Sequence, residues 1–277
     1  MKIHHLNCGT CCPAGGRLFD GTTDGATGRL VCHCLLVETE AGLVLVDTGY
    51  GTREIAHPLP RLSPAMVALC NPQFRTEETA IAQVRALGFD PADVRHIIIT
   101  HLDFDHAGGL EDFPNAAIHV TAREREVADQ RRGNVLVGTR RYRPAQWDGL
   151  ENWRLYPFGG GEPWHGFDTV RDLDGLPPEI LLVPLAGHTW GHTGVAIRQG
   201  DGDWLLHAGD AYFFRGEIGG TYHCPPGLRG YQALMEVDRA ARLGNQARLR
   251  QLAAAHGDSV RIICAHDALE FDLLAAR

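Results

Sequence analysis

Two histidines and two aspartates fall within six residues in the run Thr100-His101-Leu102-Asp103-Phe104-Asp105-His106. Immediately before it, His96-Ile97-Ile98-Ile99 is apolar and β-branched, the pattern of a buried strand. The donors therefore stand where a strand ends. A strand end fixes the first side chain, and Gly108-Gly109 lets the chain turn sharply so that the others converge on one point. Imidazole nitrogen and carboxylate oxygen suit zinc, iron or manganese. Polar residues on an exposed turn rarely gather so densely after a buried strand, so the run reads as half of a metal site.

The rest of the chain limits what surrounds such a site. Its 277 residues suffice for one large domain spanning 1–277, and no internal linker divides it. A net charge of -8 without a long basic run argues against nucleic acid as a partner. Met1-Lys2-Ile3-His4-His5 has no signal-peptide core. No apolar stretch of about 18 residues is present to span a membrane, so the expected location is cytoplasmic. Cys8, Cys11, Cys12, Cys32 and Cys34 gather near the N-terminus. Cys32 and Cys34 alternate within an apparent strand, so buried, reduced thiols are expected rather than a structural zinc.

Strands alternate with helices along the chain. Leu30 to Thr39 and Leu43 to Asp47 read as a hairpin around Glu40-Ala41-Gly42. A helix is expected over 77–87, strands at 96–100 and 118–121, and a charged helix from 122 to about 130. Strands follow at 180–184, 194–198 and 204–207, then one helix from about 231 to 255 and a strand at 260–264. An α/β architecture buries them all: a four-layer αββα sandwich of two mixed sheets with helices outside. Residues 140–167 interrupt the alternation and hold a third of the chain's Trp, Tyr and Phe. This aromatic-rich insertion is a candidate for core, for a homodimer contact or for an apolar lid. The Gly-rich stretch 13–29 reads as a loop, a candidate neighbour of the site.

A shared metal site draws on several elements, and further donors do follow other expected strands: Gly187-His188-Thr189-Trp190-Gly191-His192, Gly209-Asp210 and Ala265-His266-Asp267. With Asp47-Thr48-Gly49, this ordered set resembles the metallo-β-lactamase superfamily over most of the chain. The resemblance implies one metal held by His101, residue 103 and His188. It implies a second held by Asp105, His106 and His266, with Asp210 bridging, Asp47 orienting a ligand, and His192 in a structural role. HLDFDHAGGL most resembles the N-acyl homoserine lactonase branch. In that branch a tyrosine follows the bridging aspartate; Tyr212 is similar but one position early.

Two divalent ions, zinc first and iron or manganese next, would activate a bridging hydroxide against a carbonyl carbon. The resemblance thus implies a metal-dependent hydrolase opening an ester or lactone of a small-molecule substrate. Asp105 and Tyr212 are its candidate catalytic groups, the first passing a proton to the leaving alkoxide. Asp103 departs from the family's usual histidine. A third aspartate lowers the cluster's charge, which predicts neutral substrates and a tilt toward iron or manganese. A carboxylate at this position also resembles the flavodiiron oxygen reductases, whose flavin domain has no room here. A glyoxalase-II-like thioesterase is the other alternative, with Arg239, Arg242, Arg248 and Arg250 as candidate basic residues.

Overall fold

Strand β2, Leu30–Thr39, is buried along almost its whole length, because both of its faces carry apolar side chains that neighbours cover. It turns at Gly42, whose φ of 111° suits glycine, into β3, Gly42–Val46. On its other edge lies β1, Lys2–Cys11, antiparallel to β2. The parallel strands β4 (Val94–Ile98), β5 (Ala117–Thr121) and β6 (Trp153–Tyr156) complete a six-stranded sheet in the order β1-β2-β3-β4-β5-β6. The second sheet has the order β11-β10-β9-β8-β7, from β7 (Arg171–Asp172), β8 (Ile180–Pro184), β9 (Thr193–Arg198), β10 (Trp204–His207) and β11 (Val260–Ile263). The computed structural model describes residues 1–130, 138–158, 163–167, 171–220 and 223–276.

Leu35, Val37, Val44, Val46 and Ile98 of the first sheet pack against Ile180, Leu182, Val195, Ile197, Leu205 and Ile263 of the second. Each such aliphatic side chain contributes about 1.5–3 kcal/mol when buried. The first sheet's outer face meets the helix Ala80–Ala86 through Ala80 and Val84, and the helix Ala122–Asp129 through Val127 and Ala128. Leu249 and Leu252 of the helix Arg239–His256 cover the second. The expected αββα layering is therefore the observed one.

Three local expectations change. β1 was not legible as a strand: its polar Asn7 and Thr10 flank a register shift opposite β2. The single helix expected over 231–255 is two, Pro226–Met235 and Arg239–His256. Asp238 caps the second by accepting from Ala241 N at 2.9 Å, which ends any continuous helix there. The aromatic segment is largely core. Tyr142, Trp147 and Phe167 are almost fully buried and Tyr156 and Trp164 nearly so, while Trp153–Tyr156 forms the sheet's edge strand. Positions 159–162 of that segment lie outside the described residues.

Candidate metal centre

Every donor named above stands just past the C-terminal end of a strand, at one rim of the sandwich, the usual place for a site in α/β sheets. His101, Asp103, Asp105 and His106 follow β4, His188 follows β8, Asp210 follows β10 and His266 follows β11. All seven come together. Asp210 lies at the middle: its Oδ2 is 3.2 Å from His188 Nε2 and 3.6 Å from His101 Nε2, and its Oδ1 is 3.4 Å from His106 Nε2 and 3.1 Å from His266 Nε2. Asp103 Oδ2 is 3.0 Å from His188 Nε2 and 3.3 Å from His101 Nε2. Asp105 approaches the other group, with Oδ2 3.8 Å from His266 Nε2. The donors thus divide into His101-Asp103-His188 and Asp105-His106-His266, with one Asp210 oxygen turned to each.

The rings are aimed by partners behind them. Asp47 accepts from His106 Nδ1 at 2.8 Å, and its carboxylate also takes the amide and hydroxyl of Thr100. His266 Nδ1 donates to Val31 O at 2.8 Å. In both rings Nδ1 carries a hydrogen, so Nε2 is the nitrogen turned to the centre, and it offers a lone pair to an ion that displaces any second proton. His192 is a positioning residue: Nδ1 donates to Leu185 O and Nε2 accepts from Asp210 N. Gly209 is required there, since a Cβ would lie 2.6 Å from His192 Nε2 and φ is 53°.

Glu124, which residue patterns alone did not single out, fastens the two donor loops together. It accepts from Leu102 N at 3.0 Å, Thr189 Oγ1 at 2.6 Å and Gly191 N at 3.1 Å. Thr121, which caps the helix carrying Glu124, donates to Gly191 O. The signal was an acidic residue in the first helical turn after a strand.

The electrostatics explain why metal-type donors are grouped here. Burial disfavours a charged His266, but Asp210 overrides it and lifts this imidazole to about 9. Burial, reinforced by His106, lowers His101 to about 4. Among the described residues, His101 Nε2, His106 Nε2 and Asp210 Oδ1 are buried with no hydrogen-bond partner. Buried lone pairs converging without a donor are costly unless a cation meets them. At the second group, Asp105-His106-His266 with Asp210, the residues fit a divalent ion.

The first group differs. A backbone bridge joins Asp103 to Tyr142 and brings Arg141 against the Asp103 carboxylate. Nε reaches Oδ1 and Nη2 reaches Oδ2, both at 2.6 Å, in the bidentate geometry of a strong ion pair. Burial alone pushes this carboxyl up, but Arg141 overrides that and holds it well below the usual range. The charge expectation for Asp103 is thereby corrected: guanidinium and carboxylate together are neutral, like the imidazole they replace. The tilt toward iron or manganese and the charge argument for a neutral substrate lose their basis.

Tyr212 is also corrected. Its hydroxyl donates to the Glu270 carboxylate at 3.1 Å, and the ring is fully buried in the core beneath the second sheet. Phe213 holds the place beside the donors, its ring 5.0 Å from that of His266 and 5.6 Å from that of His188. Tyr231 lines the approach to the donors. With Pro13, Phe19, Leu30, Leu69 and Phe213 it walls a narrow cleft of about 20 Å³ that reaches Asp105 and His266. The Gly-rich stretch thus does border the site. Cys32 Sγ also lies near Asp105 and His266; a hydrogen bond with Cys11 and burial push its thiol well above the usual range, so it stays protonated.

Three comparisons identify the family. Residues 27–248 match the family model for the metallo-beta-lactamase superfamily. A probable metallo-hydrolase of Mycobacterium tuberculosis is 41% identical over 272 residues, covering 96% of this chain and 80% of that protein. The N-acyl homoserine lactonase of Bacillus thuringiensis is 31% identical over 127 residues, or 46% of this chain and 51% of that protein. Among solved structures, an N-acyl homoserine lactone hydrolase with N-hexanoyl-L-homoserine at its metal centre superimposes with a TM-score of 0.70 and 23% identity, covering 98% of this chain and 95% of that one. The family model spans most of the chain and the likeness extends over both sheets, so this chain belongs to the metallo-β-lactamase superfamily and is a metallo-hydrolase.

Proposed function

We propose that this hydrolase opens neutral lactones or esters that carry an apolar acyl chain or ring, with N-acyl homoserine lactones the first class to try. The observation that carries this reading is the convergence of the buried His106, His266, Asp105 and Asp210 side chains beneath an apolar cleft. The resemblance to the Bacillus lactonase supports the choice of lactone. Asp105, His106, His266 and Asp210 would hold a divalent ion, zinc first from the imidazole and carboxylate donors, which would supply Lewis acidity toward water and the scissile carbonyl.

The chain's own groups do the rest. Pro13, Phe19, Leu30 and Leu69 take the apolar part of the substrate. Phe213 covers His188 and His266 and keeps bulk water from the reacting carbonyl. Asp105, at the foot of the cleft, is placed to take the proton of the attacking water and pass it to the departing alkoxide. The Tyr231 hydroxyl, 3.6 Å from Cys70 Sγ, lines the same cleft as a donor toward substrate oxygen. The expected dinuclear centre with a bridging hydroxide needs a further ion in the first group, which would have to compete with Arg141 for His188 Nε2. The eight cysteines form no disulfide, and a cytoplasmic location fits them.

The basic residues expected of a thioesterase are committed elsewhere: Arg242 to Glu236 at 2.6 Å and Arg250 to Glu217 O at 3.2 Å. Arg248 stacks over Phe167. Purified, metal-loaded protein should be offered acyl homoserine lactones, aryl esters, thioesters, phosphodiesters and a β-lactam, with products read by mass spectrometry. Chelator-sensitive opening of lactones or esters is expected. Turnover of thioesters alone would transfer the chain to the glyoxalase-II-like class, and oxygen consumption with a reductant but no hydrolysis to the diiron redox class.

A further inference from the structure

We infer that the guanidinium of Arg141 replaces the metal ion of the first group, so that the protein holds one divalent ion tightly, at Asp105, His106, His266 and Asp210, and no second one beside Asp103. The inference rests on the metal-centre reading above and concerns only how many ions that centre takes.

The argument begins with lone pairs. Arg141 Nη2 lies 2.9 Å from His188 Nε2 as well as 2.6 Å from Asp103 Oδ2. These are two of the atoms that a first-group ion would use. A carboxylate oxygen has two lone pairs and can serve a guanidinium and a metal together. An imidazole Nε2 has one, so His188 serves one cation or the other. If His188 is given to Arg141, the first group keeps one imidazole, His101, beside the carboxylates of Asp103 and Asp210, and Asp103 is already shared with the guanidinium, a weaker set than the intact group.

The guanidinium is also built in. Arg141 is fully buried, and Nη1 donates to Met235 O at 2.6 Å and to His188 O at 3.3 Å. With Nε and Nη2 on Asp103, each of its three nitrogens is engaged. Nothing drives it to leave, and the arginine cannot lose its charge. A divalent ion in the first group would stand beside this fixed positive charge, sharing one carboxylate with it. The second group has no such competitor: the described residues bring no Arg or Lys nitrogen within 4 Å of Asp105 or Asp210. Because its nitrogens are all engaged, Arg141 acts as a positioning residue that holds Asp103 and His188 in place, not as a group touching substrate.

The unaltered protein provides the first test. Metal-free chain is titrated with zinc and with cobalt(II), counting ions retained after gel filtration by elemental analysis and recording the cobalt electron paramagnetic resonance spectrum. One ion per chain with an uncoupled cobalt spectrum is expected. Two retained ions with a spin-coupled spectrum would overturn the inference while leaving the hydrolase reading intact; no retained ion would overturn both. The double variant D103H/R141M exchanges the ion pair for a neutral set of similar size, so it avoids leaving a lone buried charge. It should gain the second ion and the coupled spectrum. A folded double variant that still retains one ion would show that Arg141 is not what excludes the second.

Discussion

Asp47 meets His106 behind the metal centre, Oδ2 to Nδ1 at 2.8 Å, from a backbone held at φ 57°. A non-glycine residue in that left-handed region is strained. The strain is sustained because the same carboxylate also binds the amide and hydroxyl of Thr100, the residue before His101. One side chain therefore sets the ring of one donor and the backbone leading to another.

Asp47→Ala should weaken metal binding by about 10–100-fold, the usual cost of losing a group that aims a ligand. Competition against a fluorescent chelator measures it. An unchanged dissociation constant would show that the ring of His106 is fixed by packing alone.

Metal affinity should rise with pH. In the metal-free chain Asp210 lifts His266 to about 9, so at neutral pH this imidazole carries a proton that an incoming ion must displace. Between about pH 6 and 9 the apparent affinity should climb by up to about tenfold per pH unit for this one proton, flattening above. Chelator competition across that range checks the slope, and a flat profile refutes the proton competition.

The two tyrosines should separate cleanly. Tyr212→Phe removes the hydrogen bond to Glu270 and should cost about 1 kcal/mol of stability with kcat unchanged. Tyr231→Phe removes the hydroxyl at the cleft and should lower kcat by about 100-fold if that hydroxyl stabilises developing charge, with the melting temperature nearly constant. The reverse pattern would return the donor role to Tyr212.

Acid should destabilise the fold in the window set by its buried histidines. Burial, then His96, lowers His119 to about 3; burial, then His207, lowers His5 to about 4. Each takes up a proton in the unfolded chain near pH 6.5 but not in the folded one. Their contribution is therefore complete above that value and is lost as pH falls toward the folded values. A loss on the order of 2 kcal/mol between pH 6.5 and 4 is expected for each. His119→Gln should flatten urea-unfolding stability across that range, and a variant with the full slope would place the acid sensitivity elsewhere.

What was legible in the sequence was local. His101, His188, Asp210 and His266 each follow a short apolar run, so strand ends and donors could be read together. Asp47 was legible through its Asp-Thr-Gly motif. Arg141 was not, because its partner Asp103 lies 38 positions away and the arginine sits in a segment whose aromatics drew the reading toward an insertion. Tyr212 failed by one residue. Past the end of β10 the chain no longer alternates as a strand, and whether position 212 or 213 faces the donors depends on the turn at Ala211. The break between the last two long helices was hidden by an apolar pattern that runs through it, although Asp238 carried the capping signal.

Strand β2 receives its rim contacts from the other sheet: Val31 N donates to His266 O and His33 N to Ala265 O. His101, Asp103, Asp105 and His106 ride on the first sheet, and His188, Asp210 and His266 on the second. Neither sheet by itself assembles the donors of either group, so an ion bound there would close a seam between them. Its retention would report that the two halves of the sandwich have docked in register, making metal content a folding assay as much as a catalytic one.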